Sequence, residues 1–439
     1  MKPLHSHDEM HAAGSSHAHF SIPIEAQTLL VRRLAVAVFL SFAFAYFFSA
    51  LLRGVIATLA PQFSLELGLS SGDLGLLAGA YFLGFAVMQL PMGSALDRFG
   101  PRRVLLGFLA LAVLGCIGFA LARNFLELTL ARGLIGVGVS ACLMAPMTTF
   151  RSGFRADAQI RATSWMLMTG SLGMVASTLP VQWLLPELGW RGLFWCIAAA
   201  LAISIVVIGV VVPADARQPR LQAEGPTGYV AVFRHRTFLR FAPIGFFQYG
   251  GMIAIQSLWA GPWLVQVCGW TPEQSARGLL AVNASMLLSF MAWGAVVPRL
   301  YRQGWTAHRL MALGLPASLA MLLLAVALGK EAAAWVWVLF CTTSTFASLS
   351  QPALGLAFPS GLAGRALSAY NLVMFSGVFC IQWAIGLTVD RLSAAGWSTI
   401  SAFQGAFVLF AGCCGAAYLW FLGFDDGNSV APLRSRKCR

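Results

Sequence analysis

Twelve apolar runs, most of them twenty residues or longer, follow one another down this chain and decide what it can fold into. They cover roughly 34–60, 74–96, 104–122, 126–150, 164–186, 193–213, 238–264, 277–298, 308–329, 333–357, 367–389 and 400–423. One helical crossing of a bilayer needs about 20 such residues. No water reaches the backbone there, so a segment of this length satisfies its N–H and C=O groups only as a helix. The expected fold class is an all-α membrane protein with twelve transmembrane helices. Composition agrees: 58% of residues are hydrophobic and 10% charged, where a soluble domain carries about 25% charged residues.

The net charge of +13 would suggest nucleic acid in a soluble protein. Here the basic residues lie in short segments between apolar runs. With the N-terminus in the cytoplasm, 22 of the 29 Lys and Arg fall on the cytoplasmic side and five outside, while Arg53 and Arg132 lie inside spans. That asymmetry predicts both termini cytoplasmic. The bilayer is the expected partner, with no nucleic acid. The high ratio of Arg to Lys and the absence of a signal peptide fit a bacterial inner membrane. The first 33 residues are polar and His-rich, unlike a cleavable signal. The nine cysteines form no disulfide framework or zinc spacing, and Cys413–Cys414 inside an apolar run reads as packing.

The longest internal polar stretch, 214–237, carries Pro219, Gly225, Pro226 and four arginines, and it separates six runs from six. Features recur across it. Gly75-Leu-Leu-Ala matches Gly278-Leu-Leu-Ala, Pro146 matches Pro352, Arg161-Ala matches Arg365-Ala, Gln182-Trp matches Gln382-Trp, and Gly189-Trp matches Gly396-Trp. The separations run from 200 to 207 residues. Several matches in register predict a duplicated six-helix unit. The expected domains are a tail (1–33), a six-helix bundle (34–213), a linker (214–237), a second bundle (238–423) and a basic tail (424–439). A parallel repeat places a ligand site between the halves near mid-membrane.

After the second run comes Gly93-Ser-Ala-Leu-Asp97-Arg98-Phe-Gly100-Pro-Arg102-Arg103. Glycines permit a tight turn. Asp97 suits a helix N-terminus or an arginine partner. This string resembles the signature loop between the second and third helices of the major facilitator superfamily of secondary transporters, and it occupies the same place. Arg132-Gly-Leu-Ile-Gly136-Val-Gly138 in span four is similar to a second motif of that family. The resemblance covers about 34–423 and implies the family's twelve-helix, two-bundle fold. It implies gating roles for Gly93, Asp97, Arg98, Gly100, Arg102 and Arg132. Arg132 also admits a structural reading, as a cap or a snorkelling charge near the outer end of its span. The corresponding segment in the second half, Gly294 through Pro298-Arg299 to Gly304, lacks the aspartate. Span five lacks the Gly-Pro pair of drug antiporters; Pro180 comes later.

A charge inside a span is expensive and marks function by default. Arg53 lies in the outer half of span one, with Tyr46 and Ser49 seven and four positions earlier on the same helical face. Guanidinium suits carboxylate and phosphate. The segment from Tyr46 through Arg53 to Pro61 resembles the first helix of the family's organic-anion branches, some of which contact the anion with an arginine here. Candidate cavity residues are Arg53, Tyr46, Tyr249, Gln256, Asn283, Asn371 and Gln382. Taken singly, such polar residues more often join helices than touch ligand. No carboxylate falls in the middle of a span, which favours an anionic or neutral solute over a cation.

The N-terminal tail holds His5, His7, His11, His17 and His19 beside Asp8 and Glu9. Such tracts bind metals in some proteins; a solvated tail is the plainer reading. The chain has no Gly-x4-Gly-Lys-Ser/Thr string for ATP. The leading expectation is a monomeric secondary transporter of a small organic anion, working by alternating access, with or without a coupling ion and with no cofactor. A carrier of metal, metal complex or siderophore is one alternative. A non-transporting membrane sensor or enzyme is another, and no catalytic constellation supports it.

Overall fold

The structure, a computed structural model, describes residues 30–214 and 227–424. His5, His7, His11, His17 and His19 lie outside the described residues, as do most of both expected tails and the first part of the expected linker. Among the described residues every element is a helix.

Twelve spans can be traced. Spans one to four are Arg32–Glu66, Ser71–Val87 with Gln89–Phe99, Pro101–Leu121, and Phe125–Val139 with Ala141–Gly153. Span five runs through Ala156–Ala176 and on through 179–188. Span six follows at 190–211, the two being divided by non-helical Gly189 (φ 62°) inside Leu179–Val211. Span seven runs from Arg236 to Val267, followed by Pro272–Arg302 and Ala307–Leu328 as spans eight and nine. Span ten joins Ala334–Ser344, a 3₁₀ turn at Thr345–Leu349 and Ser350–Ala357; Ser360–Ala394 and Thr399–Gly423 complete the set. Nine described helices are long and apolar enough to cross a membrane alone, and a pair bent by 47° makes a tenth. Span ten reaches crossing length only when its pieces are joined, and span five, whose piece Ala156–Ala176 has 21 residues, falls short on apolarity rather than length.

The breaks have chemical causes. Proline removes a backbone donor and crowds the carbonyl four residues earlier. Pro91 sits four residues after Val87, where span two bends. Pro146 follows the break of span four at Ser140, and its repeat partner Pro352 follows the 3₁₀ turn of span ten. Span seven contains Pro243 and Pro262 and winds into π-helix at Ile244–Tyr249, Ile255–Trp259 and Trp263–Val267. Such π segments are frequent at functional sites.

The spans alternate in direction, so the loops after even-numbered spans share one end with residues 30 and 424. This is called the terminal end below. The duplicated unit is visible in the backbone. Left-handed glycines pair as Gly68 with Gly269, Gly100 with Gly304, and Gly189 with Gly396, at separations of 201, 204 and 207 residues. Capping boxes open both span two (Ser70 with Asp73) and span eight (Thr271 with Gln274).

Several expectations shift. The helices overrun the apolar runs at many ends: span one extends to Glu66 and span eleven spans Ser360–Ala394. Polar residues beyond the hydrocarbon limits still continue the helix, because each adds another backbone bond to a helix already formed. The expected linker 214–237 contains a helix, Thr227–Arg234, and span seven already begins at Arg236. Tyr229 on that helix donates to the Leu90 carbonyl of span two at 3.4 Å, so the segment touches the first half.

The two halves meet chiefly along spans two and eleven. Near the end opposite the termini, a Cβ on Gly75 would strike the Gln382 carbonyl, and one on Gly386 the Ser71 carbonyl. Only glycine allows backbones so close. At mid-depth Phe82 stacks on Phe375 and Phe85 packs against it at a tilt. Spans one and seven also approach near the opposite end, Gly261 lying against the Ala57 carbonyl.

Candidate functional site

Arg53 faces the seam between the halves at mid-depth. The phenols of Tyr46 and Tyr81 lie beside its guanidinium, and Tyr249 of span seven is in electrostatic reach from the other half. The Phe85 ring lies 5.9 Å from the guanidinium carbon. Arg53 and Tyr249 are only half-buried, although they sit deep in the bundle. Its Nε is buried and has no hydrogen-bond partner. Among the described residues no carboxylate pairs with it. A desolvated cation without a counter-ion gains strongly from an anion placed beside it.

Tyr81 joins this group through a second cation. Its hydroxyl donates to the Ser49 carbonyl at 3.2 Å, and the guanidinium of Arg132 sits 4.8 Å over its ring. Arg132 is fully buried, which removes the snorkelling reading. Its Nη2 donates to the Leu52 carbonyl at 2.6 Å, while Nε and Nη1 are buried without partners. Gly136, one turn on, lets span four press against the Tyr81 backbone carbonyl. Arg132 is thus wedged behind Arg53, one residue away along span one through Leu52, and is shut off from the seam.

The other candidates divide. Gln256 donates to Asn283 Oδ1 at 2.9 Å, and Asn283 donates to the Leu279 carbonyl. Gln382 is fully buried, its Nε2 donating to Ser257 at 3.0 Å, with Oε1 unpaired. These three bind helices of the second half to one another. Asn371 is half-buried; it accepts from Gln351 at 2.9 Å and donates to Gln89 of the first half at 3.4 Å. The structure therefore brings Arg53, Tyr46 and Tyr249 together and adds Tyr81 and Phe85, which sequence reasoning missed. One signal was available: the chain has seven tyrosines, and Tyr46, Tyr81 and Tyr249 are three of them.

The signature loop lies at the terminal end. Gly100 closes span two with φ 83°, and Pro101 opens span three. Asp97 and Arg98 are exposed, Arg98 lying over Phe99 at 5.1 Å. Arg102 donates to the Gly209 carbonyl of span six. Gly93 has open space where a side chain would go. Among the described residues no three His, Cys, Asp or Glu gather as a metal site would require.

The twelve spans, the duplicated halves and a cation at their seam define a polytopic two-bundle membrane protein with a central site. The Major Facilitator Superfamily model matches residues 42–382, and the chain belongs to that family. It is 27% identical over 183 residues to the probable L-galactonate transporter of Escherichia coli (strain K12), covering 41% of this chain and 38% of that protein. It is 24% identical over 279 residues to the cis,cis-muconate transport protein of Acinetobacter baylyi, covering 60% and 67%. Among solved structures, a D-xylose-proton symporter aligns with TM-score 0.69 at 14% identity, over 89% of this chain and 97% of that one.

Proposed function

We propose that this protein is a secondary active transporter, not an enzyme, that carries a small organic anion across a bacterial inner membrane. The observation that carries the reading is Arg53: a cation at the seam, flanked by phenols from both halves, with a buried unpaired nitrogen and, among the described residues, no carboxylate paired with it. The named relatives transport organic acids, which supports the choice of cargo. Both termini face the cytoplasm in this reading, because the terminal end collects the arginines. The protein works as a monomer of two six-helix bundles, spans one to six and spans seven to twelve, joined through the segment that holds the helix Thr227–Arg234.

Alternating access follows from the arrangement. Tyr46, Tyr81 and Phe85 belong to the first half and Tyr249 to the second, so rocking the halves opens the site to one side at a time. The glycine contacts between spans two and eleven close the opposite end. The loop from Gly93 through Asp97, Arg98 and Gly100 to Arg102 governs the terminal end, and Arg132 holds Arg53 in place from behind. Gln256, Asn283 and Gln382 act as braces. The metal-carrier alternative rests on histidines outside the described residues, and no structural observation favours it.

The test is uptake into proteoliposomes. Wild type is expected to accumulate or exchange a labelled organic acid, while Arg53→Gln, folded and inserted to the same level, loses at least tenfold in rate. Equal flux in the two proteins would refute the role of Arg53.

A further inference from the structure

Which anion fits is set by what surrounds Arg53. Aromatic side chains flank the Arg53 guanidinium: Tyr46, Tyr81 and Phe85 from the first half and Tyr249 from the second, with Phe375 of the second half packed on Phe85. Phe85 and Phe375 pack at 4.5 Å between centroids with a 57° tilt, making a ring surface that continues across the seam. Phe85 also lies against the guanidinium itself. The candidate amides are engaged with other side chains, Gln256 with Asn283, Gln382 through its Nε2 with Ser257, and Asn371 with Gln351 and Gln89. The second cation is withdrawn, since Arg132 has no exposed surface.

From this we infer that the cargo is a planar aromatic or conjugated monocarboxylate, not a polyhydroxylated sugar acid and not a dianion. The inference rests on the organic-anion reading of Arg53. One accessible cation matches one carboxylate. A flat π-system meets ring faces and edges at favourable geometry. A sugar acid would bring several hydroxyls into a wall made mainly of rings, and each hydroxyl buried without a partner weakens binding about tenfold. A second carboxylate would be desolvated with no cation to meet it.

Isothermal titration of the purified full-length protein tests this with benzoate, benzamide, cyclohexanecarboxylate, glucuronate and terephthalate. Benzoate is expected to bind, and glucuronate about 100-fold more weakly, equivalent to two unpaired hydroxyls. Cyclohexanecarboxylate, equal in charge but not planar, is expected to lose about tenfold from the missing ring contacts. Glucuronate or terephthalate binding as tightly as benzoate overturns the inference but leaves the anion reading standing. Benzamide binding as tightly as benzoate sinks the anion reading itself. Phe85→Leu is the second arm, since it keeps the wall apolar and removes the ring. It should bring benzoate and cyclohexanecarboxylate to within about twofold of each other while benzamide stays excluded. An unchanged preference in that variant, or no binding by benzoate at millimolar concentration, overturns the inference.

Discussion

The carboxylate of Asp390 accepts a hydrogen bond from the backbone N–H of Gly72 at 2.8 Å, across the seam between the two halves and 318 residues apart in sequence. Its other oxygen accepts from Ser71 at 3.0 Å. The third N–H of span two, that of Asp73, bonds to the Ser70 hydroxyl. The free donors at the start of this helix are thus satisfied, two of them by the other half of the protein. An anion at a helix N-terminus also meets the positive end of the helix dipole. Asp390 therefore ties span eleven to span two at the end opposite the termini.

Replacing Asp390 by Asn should loosen that tie. The substitution removes the charge and one of the two acceptors, a loss of about 1 kcal/mol, or about a fivefold shift toward states open at the opposite end. Spin labels at Leu69→Cys and Ser393→Cys, in a background lacking the native cysteines, would report it as a larger population at long distance. An unchanged distance distribution would show that the bonds do not bias the conformation.

The glycine contacts make a sharper case. Gly386→Ala places a methyl group against the Ser71 carbonyl, with Gly72 beside it, and the obstacle is backbone that cannot swing aside. Overpacking of this kind costs about 1–3 kcal/mol. The cost falls only on the state in which spans two and eleven are pressed together. Transport should drop severalfold and opposite-end accessibility should rise in the same variant. Gly93→Ala is the contrast, because open space surrounds that position. It should leave thermal stability unchanged, so that any lost transport points to the loop's movement.

Arg132 should resist conservative exchange. Lysine would keep the charge but cannot both reach the Leu52 carbonyl and lie flat on the Tyr81 ring. Arg132→Lys is expected to lower the melting temperature and to weaken anion binding without abolishing it, since Arg132 supports Arg53 from behind. Tyr81→Phe, which keeps the ring but removes the bond to the Ser49 carbonyl, should cost about 1 kcal/mol of stability. Measured together, the two changes should be non-additive, as neighbours in one network are.

Much of this was legible in the sequence, and the failures have a pattern. The twelve spans follow from lipid's demand for a satisfied backbone, which acts on every stretch alone. Arg53 and Tyr46 share a helix face by their spacing, so their meeting could be foreseen. Tyr81 and Phe85 could not be picked out, because aromatics inside apolar runs are ordinary and only the fold turns these two toward Arg53. Asp390 could not be picked out either, since its partners Ser71 and Gly72 lie far away in sequence. Gln256, Asn283 and Gln382 show the converse error of range. Their polarity flagged them as lining, but polarity inside a span does not say whether the partner is a ligand or the next helix.

That last ambiguity is open to a direct measurement. If Gln256 and Asn283 serve each other, removing either leaves the same bond broken, and removing both does little more harm. A double-mutant cycle of Gln256→Leu and Asn283→Leu should return a coupling energy of about 0.6 kcal/mol, the usual size for interhelical bonds in membranes. Anion affinity should change by less than about twofold in all three variants, whereas Arg53→Gln abolishes it. A coupling near zero together with a large loss of affinity in each single variant would mean that both amides face the solute. The surroundings of Arg53 would then be polar enough to accept a hydroxylated acid.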